Sequence, residues 1–276
     1  MDRTPYAAVV LASAVAAIAV LQRPVWAGET GPHAPPGTTP HEEPPPAPPQ
    51  AEKPWGVSLD LTRHSKYVWR GITVTDEPVL QPAITFGCGN LSASVWANID
   101  TTDSSGDRWQ ANEVDYTLDY AFGWKAFKFS VGAVFYQFPS AHCADTVEVY
   151  GAVGLDVPLA PTVTLYQDVD EHDGQYVVLS VGHTFEDVWK PCQGVALSVD
   201  LGASAAWGSR KHNRFYYGAG SGWADATASL GLPIKIGDHL TVTPAAHYSY
   251  ILDPDVAEAL GDRDVFWGGL ALSVSF

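Results

Sequence analysis

Period-two alternation runs through this chain from Trp55 to its last residue, and no other feature narrows the fold so far. It is cleanest at the end. In Val265–Phe276, Phe266, Leu270, Leu272, Val274 and Phe276 share one parity, while Gly269, Ala271, Ser273 and Ser275 share the other. Successive side chains of a strand point to opposite faces, so this segment is a strand with one apolar and one small, polar face.

Twelve segments of this kind can be marked off: Trp55–Arg63 (with alternation continuing toward Gly71), Leu80–Phe86, Leu91–Ile99, Ala111–Phe122, Lys125–Phe138, Thr146–Val157, Thr162–Asp168, Gln175–Phe185, Gly194–Ala206, Gly222–Leu232, Leu240–Tyr250 and Val265–Phe276. The connectors alternate in character. Gly87–Asn90, Gly123–Lys125, Pro158–Pro161, Glu186–Gln193 and Pro233–Asp238 form one set of turns. Thr101–Gln110, Pro139–Asp145, Gly208–Ser221 and Leu252–Asp264 are generally longer, more polar and more charged. An even strand count with short turns at one end and long loops at the other is the pattern of bacterial membrane barrels. The fold class expected is all-β, a transmembrane antiparallel up-and-down β-barrel of about 12 strands. A soluble barrel with its apolar face inward would alternate in the same way. The membrane reading rests on the loop asymmetry, the aromatic strand ends, the leader described below and the terminal Phe276. A last strand ending in Phe resembles the signal read by the barrel assembly machinery, which is therefore an expected partner.

The mean hydropathy of −0.03 is too polar for a bundle of membrane helices, whereas a barrel needs apolar residues only at every second strand position. Aromatics make up 12% of the chain, enough for interfacial girdles. A formal net charge of −16 argues against nucleic-acid binding.

Arg3 precedes an apolar run from Ala7 to Leu21, and Val25-Trp26-Ala27 offers small residues for cleavage, so residues 1–27 are expected to be a signal peptide. At fifteen residues the run is short for a membrane span. Residues 28–54 are rich in proline, glycine and charge with almost nothing to bury. They read as a disordered periplasmic linker, with a periplasmic contact as a further expectation. Residues 55–276 are then an outer-membrane barrel domain, and lipid and lipopolysaccharide are its expected surroundings.

Ser65-Lys66-Tyr67-Val68-Trp69-Arg70-Gly71-Ile72, with Pro78 and Gln81-Pro82-Ala83 following, is similar to an element early in the barrel of the TorF porin family. The likeness continues at Trp96-Ala97-Asn98, Glu113-x-Asp115 with Tyr120, Gly132 to Tyr136 with Pro139, Glu148-x-Tyr150, Tyr166-x-Asp168 and Tyr176. It spans roughly residues 57 to 276 and leaves the proline-rich linker outside. The resemblance implies an outer-membrane barrel more directly than it implies transport.

With the aliphatic face toward lipid, the other face lines a lumen. Its candidate residues are Asp60, Glu113, Asp115, Asp119, Glu148, Asp200 and Asp225, with Lys128 as the clear inward base and Arg70 inward if the first strand runs on without a bulge. Unpaired charges are too costly for a dry core, so this interior is wet or internally paired. Arg70 is expected to pair with Glu113 or Asp115 near the loop end, either bracing the wall or gating it. The excess of carboxylates suggests a preference for cations. Inward Trp96, Tyr136, Tyr150, Trp223 and Trp267 would narrow the bore. The expected activity is passive diffusion of small polar solutes through a porin-like channel. The alternative is a closed structural or interaction barrel.

Catalysis finds little support. His183 and Ser180 fall on opposite faces, and no carboxylate is spaced to orient His247 beside Ser249. Asp168–Gly174 is acidic but lacks the glycine and bidentate glutamate of a calcium loop. No enzyme activity, cofactor or metal is expected.

Cys88 and Cys192 fall in turns on opposite sides of a twelve-membered ring, and Cys143 falls at its other end. A disulfide needs Cα atoms within about 7 Å. A non-reducing peptide map is expected to contain no intramolecular bridge. A Cys88–Cys192 bond would contradict the topology.

Overall fold

The structure is a computed structural model and describes residues 55–103, 108–140 and 143–276. The leader and linker expected over residues 1–54 lie outside the described residues. The elements in chain order are β1 (Trp55–His64), β2 (Tyr67–Trp69), β3 (Ile72–Thr75), β4 (Val79–Cys88), β5 (Leu91–Asp100), β6 (Ala111–Trp124), β7 (Phe127–Gln137), β8 (Thr146–Leu155), β9 (Thr162–Asp168), β10 (Gln175–Cys192), β11 (Val195–Gly208), α1 (Arg210–Tyr216), β12 (Gly222–Gly231), β13 (Ile234–Ile236), β14 (Leu240–Ile251), α2 (Pro254–Leu260) and β15 (Asp264–Ser275).

The wall is a closed barrel of twelve antiparallel strands. Each wall strand pairs with its sequence neighbour, and β15 closes on β1 from Ser58 opposite Ser275 to His64 opposite Gly269. β12 and β13 form one strand, interrupted at Leu232-Pro233. They meet β11 and β14 in a continuous register, with Gly231 opposite Ala245 and Ile234 opposite Val242. Proline cannot donate to a ladder, which explains the break.

The outward face carries the apolar parity. Leu59, Val95, Leu118, Val131, Val153, Leu201 and Leu272 form an exposed aliphatic band. Trp55, Trp124, Trp189 and Phe276 flank it at the short-turn end, and Tyr116, Trp223, Tyr248 and Phe266 at the loop end. Such a surface would drive association in water. Against hydrocarbon it satisfies both the apolar band and its aromatic rims.

Two β-bulges re-aim residues in ways that strict alternation cannot anticipate. In β12, register with β11 shifts between Ala205 and Trp207, so Ala224 and Asp225 both lie buried opposite Ala206. Trp223 is thereby turned outward at 48% exposure, contrary to the inward position that its parity predicts. In β6, register with β5 shifts beyond Asn98, and Asn112 joins Glu113 on the inside. The Glu186–Gln193 segment is also not a turn. β10 continues through it to Cys192 with two register irregularities against β11.

The largest departure follows β1. The chain does not continue up the wall to Gly71. It leaves at Ser65, and β2 and β3 form a separate two-stranded hairpin, paired only with each other, whose buried residues join the barrel's internal core. Helices α1 and α2 belong to the loops after β11 and β14. Ser209 caps α1. Asp253, Pro254 and the left-handed Gly261 (φ 80°) start and stop α2.

Cross-strand fit inside the wall is tight. Asp119, Gly132 and Tyr150 lie opposite one another on β6, β7 and β8. Tyr150 crosses the glycine to donate to Asp119 at 2.7 Å, where Ser130 also donates. A Cβ on Gly132 would stand 2.5 Å from the Tyr150 hydroxyl and from the Leu118 carbonyl oxygen. Gly132→Ala is expected to cost about 1–3 kcal/mol by overpacking. The loss reads as a lower temperature for the heat-induced gel shift of the folded barrel.

Candidate functional site

The inward parity divides the lumen into two halves. Toward the short turns it carries small hydroxylated side chains, among them Ser58, Ser92, Ser94, Thr117, Ser130 and Ser273, all partly exposed. Asp60, Asp119 and Asp200 are partly exposed on the same surface. Toward the loops the inward residues are buried. Glu113 and Glu148 are 2% and 1% exposed, and Asn98 and Asp168 are fully covered. The cover is the β2–β3 hairpin, packed with Tyr166, Tyr176, Tyr216, Tyr217, Val256 and Ile251 into one cluster around Trp69.

The centre of this plug is Arg70, which occupies the turn of the hairpin at φ 46° beside Gly71 at φ 79°. The two left-handed residues place the guanidinium across the bore. Its Nη1 donates to Glu148 Oε1 at 3.0 Å and its Nη2 to Oε2 at 2.7 Å, a bidentate pair with both side chains 1% exposed. Tyr136 donates its hydroxyl to the same carboxylate at 2.8 Å. Aromatic rings pack around the cation, with Cζ 4.4 Å from the Trp69 centroid, 4.2 Å from Tyr176 and 5.3 Å from Tyr166. Burial alone would ease the proton off Arg70. The Glu148 carboxylate outweighs it and holds the pKa above its ordinary value.

The expected partner of Arg70 was Glu113 or Asp115, and neither holds it. Leaving the wall at Ser65 moves Arg70 off the β1 register and across to β8. Glu113 instead accepts from the Tyr67 hydroxyl at 2.8 Å, which anchors the start of the hairpin to β6. Asp115 lies buried two positions further along the same strand face. At the other end of the hairpin, Thr75 donates to Asp100 Oδ1 at 3.3 Å, and Asn112 donates to Asp100 Oδ2 at 3.0 Å. Asn98 links this pair to Gln81.

Asp225 accepts from the Tyr176 hydroxyl and lies against Gly71. A Cβ on Gly71 would meet Asp225 Cβ at 2.9 Å and Ile251 Cδ1 at 2.5 Å. Lys128 is at the short-turn rim, where it pairs with Asp156 at 2.7 Å. Asp60 accepts from Ser273 at the β1–β15 closure. The structure therefore brings Arg70, Glu113, Asp115, Glu148 and Asp225 into or beside the plug. It leaves Asp60, Asp119, Lys128 and Asp200 outside it, toward the short turns.

The acidic loop after β9 is organised by the last residue of that strand. Asp168 Oδ1 accepts backbone N–H groups from Asp170, His172 and Asp173 at 3.0, 3.0 and 3.2 Å, and Oδ2 accepts from Thr146 at 2.6 Å. The carboxylate is thus occupied by donors and serves as the loop's staple. His172 packs behind it. Its Nδ1 accepts from the Gly174 N–H at 3.0 Å, so its Nε2 carries the proton toward Asp168 and Tyr216. Burial, only partly offset by Asp168, lowers its pKa. His212, on α1, is fully buried against Tyr176 and Tyr216.

Strict alternation cannot mark Tyr67, Trp69, Tyr166, Tyr176 and His212 as members of one cluster. The clue available was the run Tyr67-x-Trp69-Arg70-Gly71, aromatic residues leading into a left-handed Gly turn, which is a poor continuation of a wall strand.

A closed antiparallel barrel with an apolar exterior and a charged interior defines the class of proteins that cross a lipid layer with strands. No family model matches the sequence, so the TorF resemblance rests on its motif residues alone. No curated protein matches it either. Among solved structures, the chain is similar to LpxR from Salmonella typhimurium, with 7% identity and a TM-score of 0.50 over 79% of this chain and 99% of that one. It also aligns with a COG4313 outer membrane channel from Pseudomonas putida F1 (8% identity, TM-score 0.48, 82% and 97% covered) and with a NanC porin (12%, 0.45, 80% and 98%). The LpxR likeness shows the barrel fold alone, and the other two are too distant to carry an argument.

Arg70→Ala and Glu148→Ala are each expected to destabilise the folded barrel by about 3–5 kcal/mol, because each strands a buried charge. The double variant Arg70→Met/Glu148→Leu is expected to recover most of that loss. Urea unfolding in lipid vesicles, followed by tryptophan fluorescence, measures all three.

Proposed function

We propose that the protein is an outer-membrane channel of the porin type for small polar solutes, with a preference for cations, and that its β2–β3 hairpin holds it closed. On this reading the short turns face the periplasm, the long loops face outward, and the part-open half of the lumen is a periplasmic vestibule. Hydroxyl groups and the carboxylates of Asp60, Asp119 and Asp200 line that half, a surface suited to hydrated cations and neutral polar solutes.

The observation that carries the proposal is the way the other half is filled. The blocking element is not part of the wall. It is a two-stranded sheet of its own, held by side-chain bonds from Tyr67, Arg70 and Thr75. An element attached in this manner can leave without opening the barrel. The extent of the filled core favours a second reading, a closed structural barrel that never conducts.

Planar-bilayer recording separates the two. The wild type is expected to be closed for most of the time. Replacing residues 66–77 with a short Gly-Ser linker is expected to give a persistent conductance whose reversal potential favours cations, and Asp60→Asn/Asp119→Asn/Asp200→Asn in that background should abolish the preference. A folded linker variant that never conducts would establish the structural reading, and an anion preference would remove the assigned role of the carboxylates.

A further inference from the structure

We propose that His212 is an acid-operated release for the plug: protonation of its ring sets a second cation against Arg70 and frees the β2–β3 hairpin from the lumen. The inference rests on reading the hairpin as a gate.

The geometry is specific. His212 is completely buried, and its Nδ1 lies 3.5 Å from Arg70 Nη1. A guanidinium nitrogen is only a donor, so Nδ1 must present its lone pair and the ring must be neutral with its proton on Nε2. That Nε2 has no partner among the described residues. A ring in this position acts as a neutral spacer under a cation. If Nδ1 is protonated, two positive groups meet in a site closed to bulk solvent.

Among the described residues, no unengaged acid is placed to absorb the new charge. Arg70 reaches His212 from the hairpin turn, Tyr176 from β10 with ring centroids 4.8 Å apart, and His172 from the β9–β10 loop at 5.7 Å. Tyr216 approaches from α1 itself at 4.7 Å and Tyr217 from its C-cap at 5.9 Å. The nearby carboxylates are all engaged elsewhere. Glu148 is taken by Arg70 and Tyr136, Asp225 by Tyr176, and Asp168 by its loop N–H groups, Thr146 and His172. Tyr166 also packs on the Arg70 face.

Burial, then Arg70, then His172 hold the His212 pKa well below its ordinary 6.5. A ring released into water returns toward that value. The released state therefore binds more protons than the docked one. Docking is favoured above pH 6.5 and loses ground as pH falls below it. Tyr217, the C-cap of the helix that carries His212, donates to the Arg70 backbone carbonyl at 2.9 Å, so a displaced α1 takes a support from the hairpin turn with it.

The test is hydrogen exchange of residues 67–75 in the full chain, reconstituted in lipid and scaled to the intrinsic exchange rate at each pH. This readout reports release whether or not the released barrel conducts, so a failed channel reading leaves it intact. Protection in the wild type is expected to fall at least about tenfold between pH 7 and pH 4, the effect of one pKa unit between docked and free ring. His212→Gln keeps an acceptor and cannot charge, and is expected to stay protected at pH 4. His172→Gln should retain the wild-type transition. Wild-type protection that survives at pH 4 would overturn the proposal, whatever the variants do. So would a His212→Gln protein that loses protection at the same pH as the wild type, because the carboxylates would then be the trigger. Loss of the transition in His172→Gln alone would assign the switch to the wrong histidine.

Discussion

A charge that cannot reach water must find its opposite, and in this barrel that requirement falls on Arg70. The guanidinium lies across the bore at the tip of a hairpin whose two strands, among the described residues, pair with each other and not with the wall. Glu148 holds it from β8, Tyr136 supports Glu148 from β7, and rings from β2, β9 and β10 cover its faces. Five separate stretches of chain thus converge on one cation. The net worth of such a pair is modest because desolvation offsets most of the attraction. What it contributes is position: the two parallel hydrogen bonds fix the tip of the hairpin against β8.

The remaining polar contacts act on the ends of the same hairpin. Tyr67 is tied to Glu113 on β6 and Thr75 to Asp100 on β5, so the hairpin is fixed at its tip and at both ends. Below it the inward face changes from buried aromatic and charged groups to partly exposed serine, threonine and aspartate. The wall is therefore uniform outside, where it meets one solvent, and divided inside, where half meets protein and half meets water.

The wall was legible in the sequence. β9 has the bounds read from alternation, Thr162–Asp168, and the other wall segments differ mainly at their ends. Period two is imposed by the sheet itself, so it survives in the sequence wherever the sheet is regular. It fails where the chain gains a residue or leaves the wall. The bulges at Asn112 and Ala224 shift parity without any change in composition, and the second turns Trp223 outward against its parity. Alternation is enough to place Glu148 and Asp225 in the interior, but it places Arg70 there only if β1 runs on to Gly71, which it does not. The pairing of Arg70 is not legible either, because a contact across the bore depends on where the hairpin folds and not on strand register. The short helices left local signs, Asp253-Pro254 with Gly261 and Ser209 before Arg210, but seven-residue helices are too short for hydrophobic periodicity to mark.

The central claim is that the lumen can be reached from the short-turn end and is blocked from the loop end. Ser94 points inward below the plug. A Ser94→Cys protein, with Cys88, Cys143 and Cys192 changed to Ser, can be inserted in one orientation into vesicles and treated with a bulky, charged maleimide. The reagent should label the cysteine when supplied at the short-turn end and fail to label it from the loop end at neutral pH. Equal labelling from both ends would mean that the bore is open, and would contradict the account.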